Sequence, residues 1–499
     1  MLKKLAGQTA VYGLSSIVGR FLNYLLVPIY THVLNPTEYG ASSWFYAIAA
    51  FVGVIYTYGM ETAFFRFTQK EESDKDKVFS TAAISVALTS LIFSGLIIFF
   101  ATPLSIWTKN AGRELYFIFF AIIFAADAIT TIPFARLRQQ NEPLRFAMLR
   151  LLSIAVNIGL NLLFYIAIPF LSTRGLLAPL DTAGVSIKWM FVANVMSSIV
   201  ILPFFMKELK LLTLGLDKIL WREMIIYAYP LIFMGLAGMI NETIDRVLLK
   251  LMIVDQAYAE AQIGIYSANY KLSIIITLFI QAFRFGAEPF FFAKAKAEDS
   301  RIVYARVMQY FMLVCATIFV GVLLYLDIFK YFIGKNFHEG LTVVPILLMA
   351  NVCLGAYYNL SIWYKLTDKT KLGAIVSLIG AAITLILNWL WIPTMGYVGC
   401  AWATLICYFS MAAISFSLGQ KHYPVPYPTR RIASYLALAL TAYFSSEMLS
   451  ETFELSTIVR LSVNTLIFAA YLFILYKLEE KEAKPLFEQL KKRFIKKQV

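Results

Sequence analysis

The stretch "SSIVGRFLNYLLVPIY", residues 15–30, holds one charged residue, Arg20, in a run that otherwise suits a membrane. No other formally charged residue occurs between Leu5 and Tyr30. A charged side chain at the centre of a membrane helix costs roughly 2.5 to 3.5 kcal/mol on insertion scales, and such residues default to a functional interpretation. The stretch therefore predicts a membrane helix whose arginine has a purpose.

Apolar runs of this kind recur along the whole chain. Of its 499 residues, 60% are hydrophobic and 15% are charged, whereas soluble domains carry about 25% charged residues. The first run lacks a small-residue cleavage site, so we interpret it as a retained helix. The pattern predicts an all-α polytopic membrane protein with about fourteen spans. We place the spans at 11–32, 41–60, 79–103, 115–134, 147–170, 187–206, 223–251, 264–290, 305–326, 341–364, 373–393, 398–418, 432–449 and 457–476.

The basic residues indicate the orientation. With the N-terminus inside, the inside segments and their edges hold 31 of the 44 Lys and Arg residues, and the outside segments hold six. This asymmetry predicts that both termini are cytoplasmic. The net charge of +14 then reflects topology, and we predict no nucleic-acid partner.

Other classes of site have little support. Cys315, Cys353, Cys400 and Cys407 fall in apolar spans without the spacing of metal ligands, and we interpret them as small core residues. No soluble segment is long enough to hold a catalytic site. We therefore predict no metal, no cofactor and no enzymatic activity.

The sequence contains an internal repeat. "GMETAFFRF" (59–67) closes the second span and "GAEPFFFAK" (286–294) closes the eighth. A shift of 227 matches Gly59 with Gly286, Glu61 with Glu288, Phe64 with Phe291, Phe65 with Phe292, Arg138 with Lys365 and Asn161 with Asn388, and a shift of 224 matches Gly40 with Gly264.

Spans separated by an even number of helices share one orientation, so spans 1–6 and 7–12 form parallel repeats. Transporters of this build place the substrate between the halves. We expect an N-terminal lobe over 1–210, a C-terminal lobe over 211–425, spans 13 and 14 over 426–478 and a basic cytoplasmic tail over 479–499.

Five elements of the chain, in this order and spacing, resemble the polysaccharide transporter family. That family includes the Wzx-type lipid-linked oligosaccharide flippases of the multidrug/oligosaccharidyl-lipid/polysaccharide (MOP) exporter superfamily. The elements are "GRFLNYLLVPIYTHVLNPTEYG" (19–40), "GMETAFFRF" (59–67), "DRVLL" (245–249), "GIYSANYKL" (264–272) and "NWLWIPTMGYVGCAWATL" (388–405).

The resemblance implies two V-shaped six-helix lobes that move a polyprenyl-diphosphate-linked oligosaccharide outward by alternating access. It implies a place in the bacterial cytoplasmic membrane and a role in cell-surface polysaccharide biosynthesis, such as that of the O-antigen of lipopolysaccharide. We expect a monomer whose partners are membrane lipids, a polysaccharide polymerase and the chain-length machinery.

A polar stripe follows the first span. Thr9, Tyr12, Ser16, Arg20 and Asn23 step by three or four residues and so share one helix face. We predict that the stripe faces the central cavity and that Arg20, with Asn23, binds the lipid diphosphate, because a guanidinium stays ionised and forms paired bonds to phosphate oxygens. The alternative is that Arg20 is held by a neighbouring helix.

The seventh span carries a run of charges. Glu242 and Arg246 are four residues apart, which favours an internal ion pair. Asp245 lies about 100° from Arg246 around the helix, so we expect it not to share that face fully, and we name it an ion-coupling candidate.

The eighth span carries Lys271 and Arg284. They are separated by roughly 20 Å of helix rise and about 140° of rotation, so we expect that both cannot point squarely into one cavity. Arg284 pairs with Glu288 or faces the cavity, and Lys271 snorkels to the outer interface or contacts substrate at the cavity mouth. We count both as candidate substrate-binding residues.

Three further acids are candidates for ion coupling. Glu61 and Glu288 are repeat equivalents that follow Gly59 and Gly286, and they form either paired gate elements or ordinary helix ends. Asp127 stands alone in the fourth span, where a satisfied acid and a coupling site are equally compatible with the sequence. Acids are as frequent as bases inside the spans. The interior can therefore be basic only if the fold arranges the bases toward it.

Two other transporter functions stay open. A drug or cation antiporter of the same superfamily (MATE-like) would use the acids, although such antiporters usually have twelve spans and Arg20 would repel a cationic drug. A peptidoglycan lipid-precursor flippase also has fourteen spans and cavity arginines.

Overall fold

The protein is an all-helical bundle. Thirteen of its described helices are long and apolar enough to cross a membrane, and they coincide with the predicted spans two to fourteen. The first predicted span, 11–32, lies partly outside the described residues and is otherwise helical. No strand occurs in the residues that the computed structural model describes, which are 18–70, 74–176, 186–295 and 297–495.

The N-terminal half contains a first helix, of which only part is described, and five of the thirteen membrane-capable helices. They are α1 (18–24 and Leu26–Val33), α2 (Pro36–Thr57, continued by Met60–Thr68), α3 (Lys75–Phe99), α4 (Glu114–Gln139), α5 (Pro143–Leu162, continued by the π-helical Leu163–Ala167 and by Ile168–Thr173) and α6 (Lys188–Ile199). Short helices follow α3 and α6, at Ala101–Trp107, Leu202–Phe205, Met206–Leu209 and Lys210–Leu214.

The C-terminal half contains six more, and two helices follow it. They are α7 (Lys218–Met252), α8 (Gln256–Lys294), α9 (Ser300–Leu324), α10 (Val344–Leu360, continued by Ile362–Leu366), α11 (Thr370–Met395), α12 (Tyr397–His422), α13 (Thr429–Thr452) and α14 (Thr457–Ile495). Short helices connect α9 to α10, at Leu326–Phe329, Lys330–Phe332 and Lys335–Val343.

Side-chain caps fix where several of these helices begin. Asn35 and Glu38 form a reciprocal capping box at the start of α2, and Pro36 occupies the first helical position. Aspartate side chains accept hydrogen bonds from the first backbone N–H groups of α3, α7 and α8. These are Asp74, Asp217 and Asp255.

Helix α8 begins eight residues earlier than predicted, at Gln256 instead of residue 264. The prediction was wrong because the first turns carry Glu260 and Gln262, which end an apolar run. Both side chains are buried and have partners on other helices, so their polarity does not exclude them from the bundle.

The two halves meet through a small set of helices. Helix α2 packs along α8 and also against α7, and α3 likewise contacts α7. Helices α4–α6 pack mainly within their own half and α10–α12 within theirs. Helices α13 and α14 pack on α9, at the edge of the C-terminal half. The boundaries predicted at residues 210 and 425 stay predictions.

The repeat-equivalent glycines Gly59 and Gly286 have different backbones. Helix α2 is interrupted at Tyr58 and Gly59, which have φ of 34° and 73°, whereas α8 runs through Gly286 without a break. A Cβ on Gly59 would lie 3.0 Å from Leu231 Cβ, and the space around Gly286 is open. The expectation of two matching elements is therefore not met in the backbone, because only α2 bends to pack against α7.

Candidate functional site

A cavity with two adjoining chambers lies between the halves. The inner chamber, of about 690 Å³, is lined by α1 and by α7, α8, α10, α11 and α12. The outer chamber, of about 430 Å³, is lined by α1, α2, α5 and α6 and by α7 and α8. The lining residues shared by both chambers are Asn23, Val27, Glu242, Tyr270, Lys271 and Ile274.

The four residues predicted to bind substrate all line this cavity. Arg20, Lys271 and Arg284 line the inner chamber, and Asn23 lines both. The expectation that Lys271 and Arg284 could not face one cavity was wrong, because the chamber is elongated along α8 and Gln281 lines it as well.

Lys271 lies far from the start of α8. Since α8 begins at Gln256, fifteen residues, or roughly 22 Å of helix rise, precede Lys271. Its snorkelling to the outer end, the end predicted to face outside, is thus not observed. Lys271 instead lines both chambers, and no ion pair to it occurs within the described residues.

Arg20 is similarly uncompensated. Its side chain is exposed to the inner chamber, and no acid of the described part of the chain forms an ion pair with it. The rest of the predicted stripe, Thr9, Tyr12 and Ser16, lies outside the described residues. Arg284 differs, since it contacts Glu288 at 3.3 Å and its guanidinium carbon lies 4.2 Å from the centre of the Tyr358 ring.

The seventh-span ion pair differs from the prediction. Arg246 Nη1 lies 2.9 Å from the Asp245 carboxylate. With Glu242 it forms a hydrogen bond to the backbone carbonyl, at 3.1 Å, and not an ion pair. The prediction assumed straight side chains, whereas the long arginine side chain turns back to its neighbour. Asp245 is consequently buried and paired, and it does not line either chamber.

The remaining acids are mostly withdrawn from the cavity. Glu61 pairs with Arg138, and Glu288 contacts Lys365 at 2.9 Å. Asp127, whose carbonyl accepts hydrogen bonds from Thr130 and Thr131, does not line the two chambers.

The lining of the two chambers is therefore cationic. It contains four basic residues and one acid, Glu242. The spans hold acids and bases in similar numbers, so this excess arises from arrangement.

Beside the outer chamber, α2 and α8 cross at two repeat-equivalent glycines. A Cβ on Gly40 would lie 1.7 Å from the Glu260 carbonyl oxygen, and one on Gly264 would lie 2.0 Å from the Pro36 carbonyl oxygen. Only glycine permits this approach of two backbones. The contact is reciprocal, as expected where equivalent helices cross near a pseudo-twofold axis.

Buried charges join the halves beside this crossing. Lys250 is fully buried, and its Nζ lies 2.7 Å from Glu260 Oε1 and 2.5 Å from Asn110 Oδ1 of the N-terminal half. Arg113 of the same half also binds Glu260, and the Lys250 ammonium lies 4.9 Å from the centre of the Trp44 ring.

A family model described as "Polysaccharide biosynthesis protein" matches residues 5–287, more than half of the chain. The chain belongs to this family. Among curated proteins, none matches the sequence.

Solved structures agree on the architecture. The chain is similar to the structure titled "Lipid II flippase MurJ, inward closed conformation", with a TM-score of 0.70 and 15% identity over 93% of this chain and 98% of that chain. It is also similar to an inward-facing multidrug resistance MATE family transporter of the MOP superfamily, with a TM-score of 0.58 and 14% identity over 83% of this chain and 94% of that chain. A third similar structure is the Vibrio cholerae MATE transporter VcmN in the bent form, with a TM-score of 0.54 and 12% identity over 87% of this chain and 98% of that chain. These likenesses show that the chain shares the fold of these three proteins.

For this member of the polysaccharide biosynthesis family, sequence reasoning missed part of the lining. Arg246 and Glu242 were assigned to each other, and the amide and tyrosine side chains of the N-terminal half were not identified. Their signal was present as polar residues inside apolar spans, at Tyr46, Asn157 and Asn194.

Proposed function

We propose that this protein is a flippase that moves polyprenyl-diphosphate-linked oligosaccharide from the inner to the outer leaflet of the bacterial cytoplasmic membrane. The observation that carries the proposal is a cavity between two parallel halves in which Arg20 of one half and Lys271 of the other form no ion pair with an acid of the described residues. A lipid diphosphate is an anion that such a pair would bind with charge-assisted hydrogen bonds. The family supports the glycan part of the proposal.

Alternating access is part of this proposal. In the proposed state, the α2–α8 crossing and the contacts of Lys250 with Glu260 and Asn110 bar the cavity on the side predicted to face outside, and substrate would load from the cytoplasmic side. We place the moving lobes at residues 1–210 and 211–425, with cytoplasmic termini. A polysaccharide polymerase and chain-length machinery would use the product in the outer leaflet.

A lipid II flippase is the second candidate, favoured by the fold match over nearly the whole of both chains. A drug or cation antiporter is disfavoured by the cavity, because Arg20 and Lys271, which form no ion pair among the described residues, outnumber the one lining acid, Glu242, and would repel a cationic drug.

Transport in proteoliposomes tests the proposal. The purified protein should move a fluorescent polyprenyl-diphosphate oligosaccharide between leaflets without ATP, since no GxxxxGK[ST] phosphate loop occurs in the sequence. Lipid II and a cationic dye, assayed in parallel, distinguish the three functions. Faster movement of lipid II, or exchange of the dye alone, would contradict the glycan flippase.

A further inference from the structure

We propose that the outer chamber is a saccharide subsite, which recognises hydroxyl groups of the sugar that follows the diphosphate. This inference rests on the proposed function. The described residues that the N-terminal half contributes to the wall of this chamber include no charged side chain, and their polar groups are amides, serines and tyrosines. Neutral donors and acceptors beside aromatic rings match a sugar, which presents hydroxyl groups and apolar C–H faces.

One pair of side chains in this wall has unused hydrogen-bonding capacity. Asn194 Nδ2 donates to the Tyr46 hydroxyl at 2.6 Å and to the Met190 carbonyl at 2.9 Å. The Asn194 Oδ1 acceptor and the Tyr46 hydroxyl proton therefore remain available to a ligand. The Tyr46 ring is held edge-on against Phe120 and Phe191, so its hydroxyl has a fixed position.

A second group is fixed by a chain of amides. Tyr30 donates to Asn161 Oδ1 at 2.8 Å, Asn161 Nδ2 donates to Asn157 Oδ1 at 3.0 Å, and Asn157 Nδ2 donates to Asn23 Oδ1 at 3.2 Å. The chain ends at Asn23 Nδ2, which has no partner among the described residues and lines both chambers. The donor is thus oriented before any ligand binds, which reduces the entropic cost of binding.

The charges assign the two chambers to different parts of one substrate. Arg20, which forms no ion pair among the described residues, lines only the inner chamber, and Lys271 lies where the two chambers meet. Arg246, which lines only the outer chamber, is paired with Asp245. The polyprenyl chain, diphosphate and sugar are joined in that order. With the diphosphate at Arg20 in the inner chamber, the adjoining outer chamber is the space into which the sugar extends.

Binding of two lipids to the full-length protein in detergent separates the subsite from the diphosphate site. The probes are undecaprenyl diphosphate and the same lipid carrying one N-acetylglucosamine. The wild type should bind the glycosylated lipid more tightly. Tyr46→Phe should weaken binding of that lipid about threefold to tenfold, as expected for one neutral hydrogen bond, and leave binding of the bare lipid unchanged.

Asn194→Ala should act in the same direction, and Tyr229→Phe is the matched control, because Tyr229 is exposed on α7 and lines neither chamber. Thermal unfolding of each variant shows that it is folded. Equal wild-type affinity for the two lipids, or an equal loss for both in Tyr46→Phe, would overturn the subsite. Binding of neither lipid by the wild type would instead refute the proposed function, and the subsite with it.

Discussion

The two halves of the molecule share a frame but differ in chemistry. The ion pair Glu61–Arg138 in the first half recurs as Glu288–Lys365 in the second, at the same shift of 227 residues. By that shift Arg284 corresponds to Thr57. The second half therefore has a charged residue at a position where the first half has a neutral one. The ion pair that the two repeats share thus stabilises each half. Arg284, where the repeats differ, lines the cavity.

The contact between the halves should show the largest effect. Glu260→Gln removes the charge that compensates the fully buried Lys250, and breaking a buried pair in this way costs roughly 3 to 5 kcal/mol. The unfolding temperature measured in detergent should fall accordingly. The control is Glu223→Gln, whose exposed pair with Lys70 contributes about 0 to 1 kcal/mol. Similar shifts in both variants would mean that the Lys250 contact does not hold the halves together.

The two equivalent glycines should respond with opposite signs. Gly59→Ala forces a side chain into a left-handed backbone with φ of 73° and should destabilise the protein by about 1 to 2 kcal/mol. Gly286→Ala lies in a continuous helix with open space and should stabilise it by about 0.5 to 1 kcal/mol. Chemical denaturation of both variants gives the comparison, and a loss at Gly286 equal to that at Gly59 would show that α8 also needs a break.

The equivalent ion pairs should differ in function more than in stability. Glu61 and Glu288 are both partly exposed, so replacing either with Gln should cost about 1 kcal/mol or less. Glu288→Gln also releases Arg284 toward the cavity and should strengthen binding of a polyprenyl diphosphate, while Glu61→Gln should not. Equal affinities in the two variants would place Arg284 outside the substrate site.

The sequence predicted the fold better than the pairing of charges. Apolar runs gave the helices, and a common shift identified the repeat, because both properties are periodic along the chain. The predicted start of α8 was wrong because the burial of Glu260 depends on Lys250 of α7 and on Arg113 of the N-terminal half. Likewise, Arg246 binds its sequence neighbour Asp245 through a side-chain conformation that helix geometry does not determine.

The residues predicted to bind substrate lie together in one cavity, and their role in binding stays a prediction. Arg20, Asn23, Lys271 and Arg284 line one cavity, and charge within an apolar span was a sufficient signal for three of them. Whether a tyrosine faces lipid, the core or a cavity depends on helix rotation, which an amphipathic pattern in a membrane does not fix. The amide and tyrosine wall could therefore not be predicted.

Replacement of Arg20 tests the central claim most directly. Stability in detergent and glycan-lipid transport should be measured on the same preparations of Arg20→Ala and Arg20→Lys. Because Arg20 has no acidic partner in the described part of the chain, Arg20→Ala should unfold at the wild-type temperature yet lose transport, and Arg20→Lys should keep part of it, since a point charge remains without the paired geometry. Normal transport by Arg20→Ala, or a loss of transport that follows a destabilisation of roughly 3 to 5 kcal/mol, would show that Arg20 is structural.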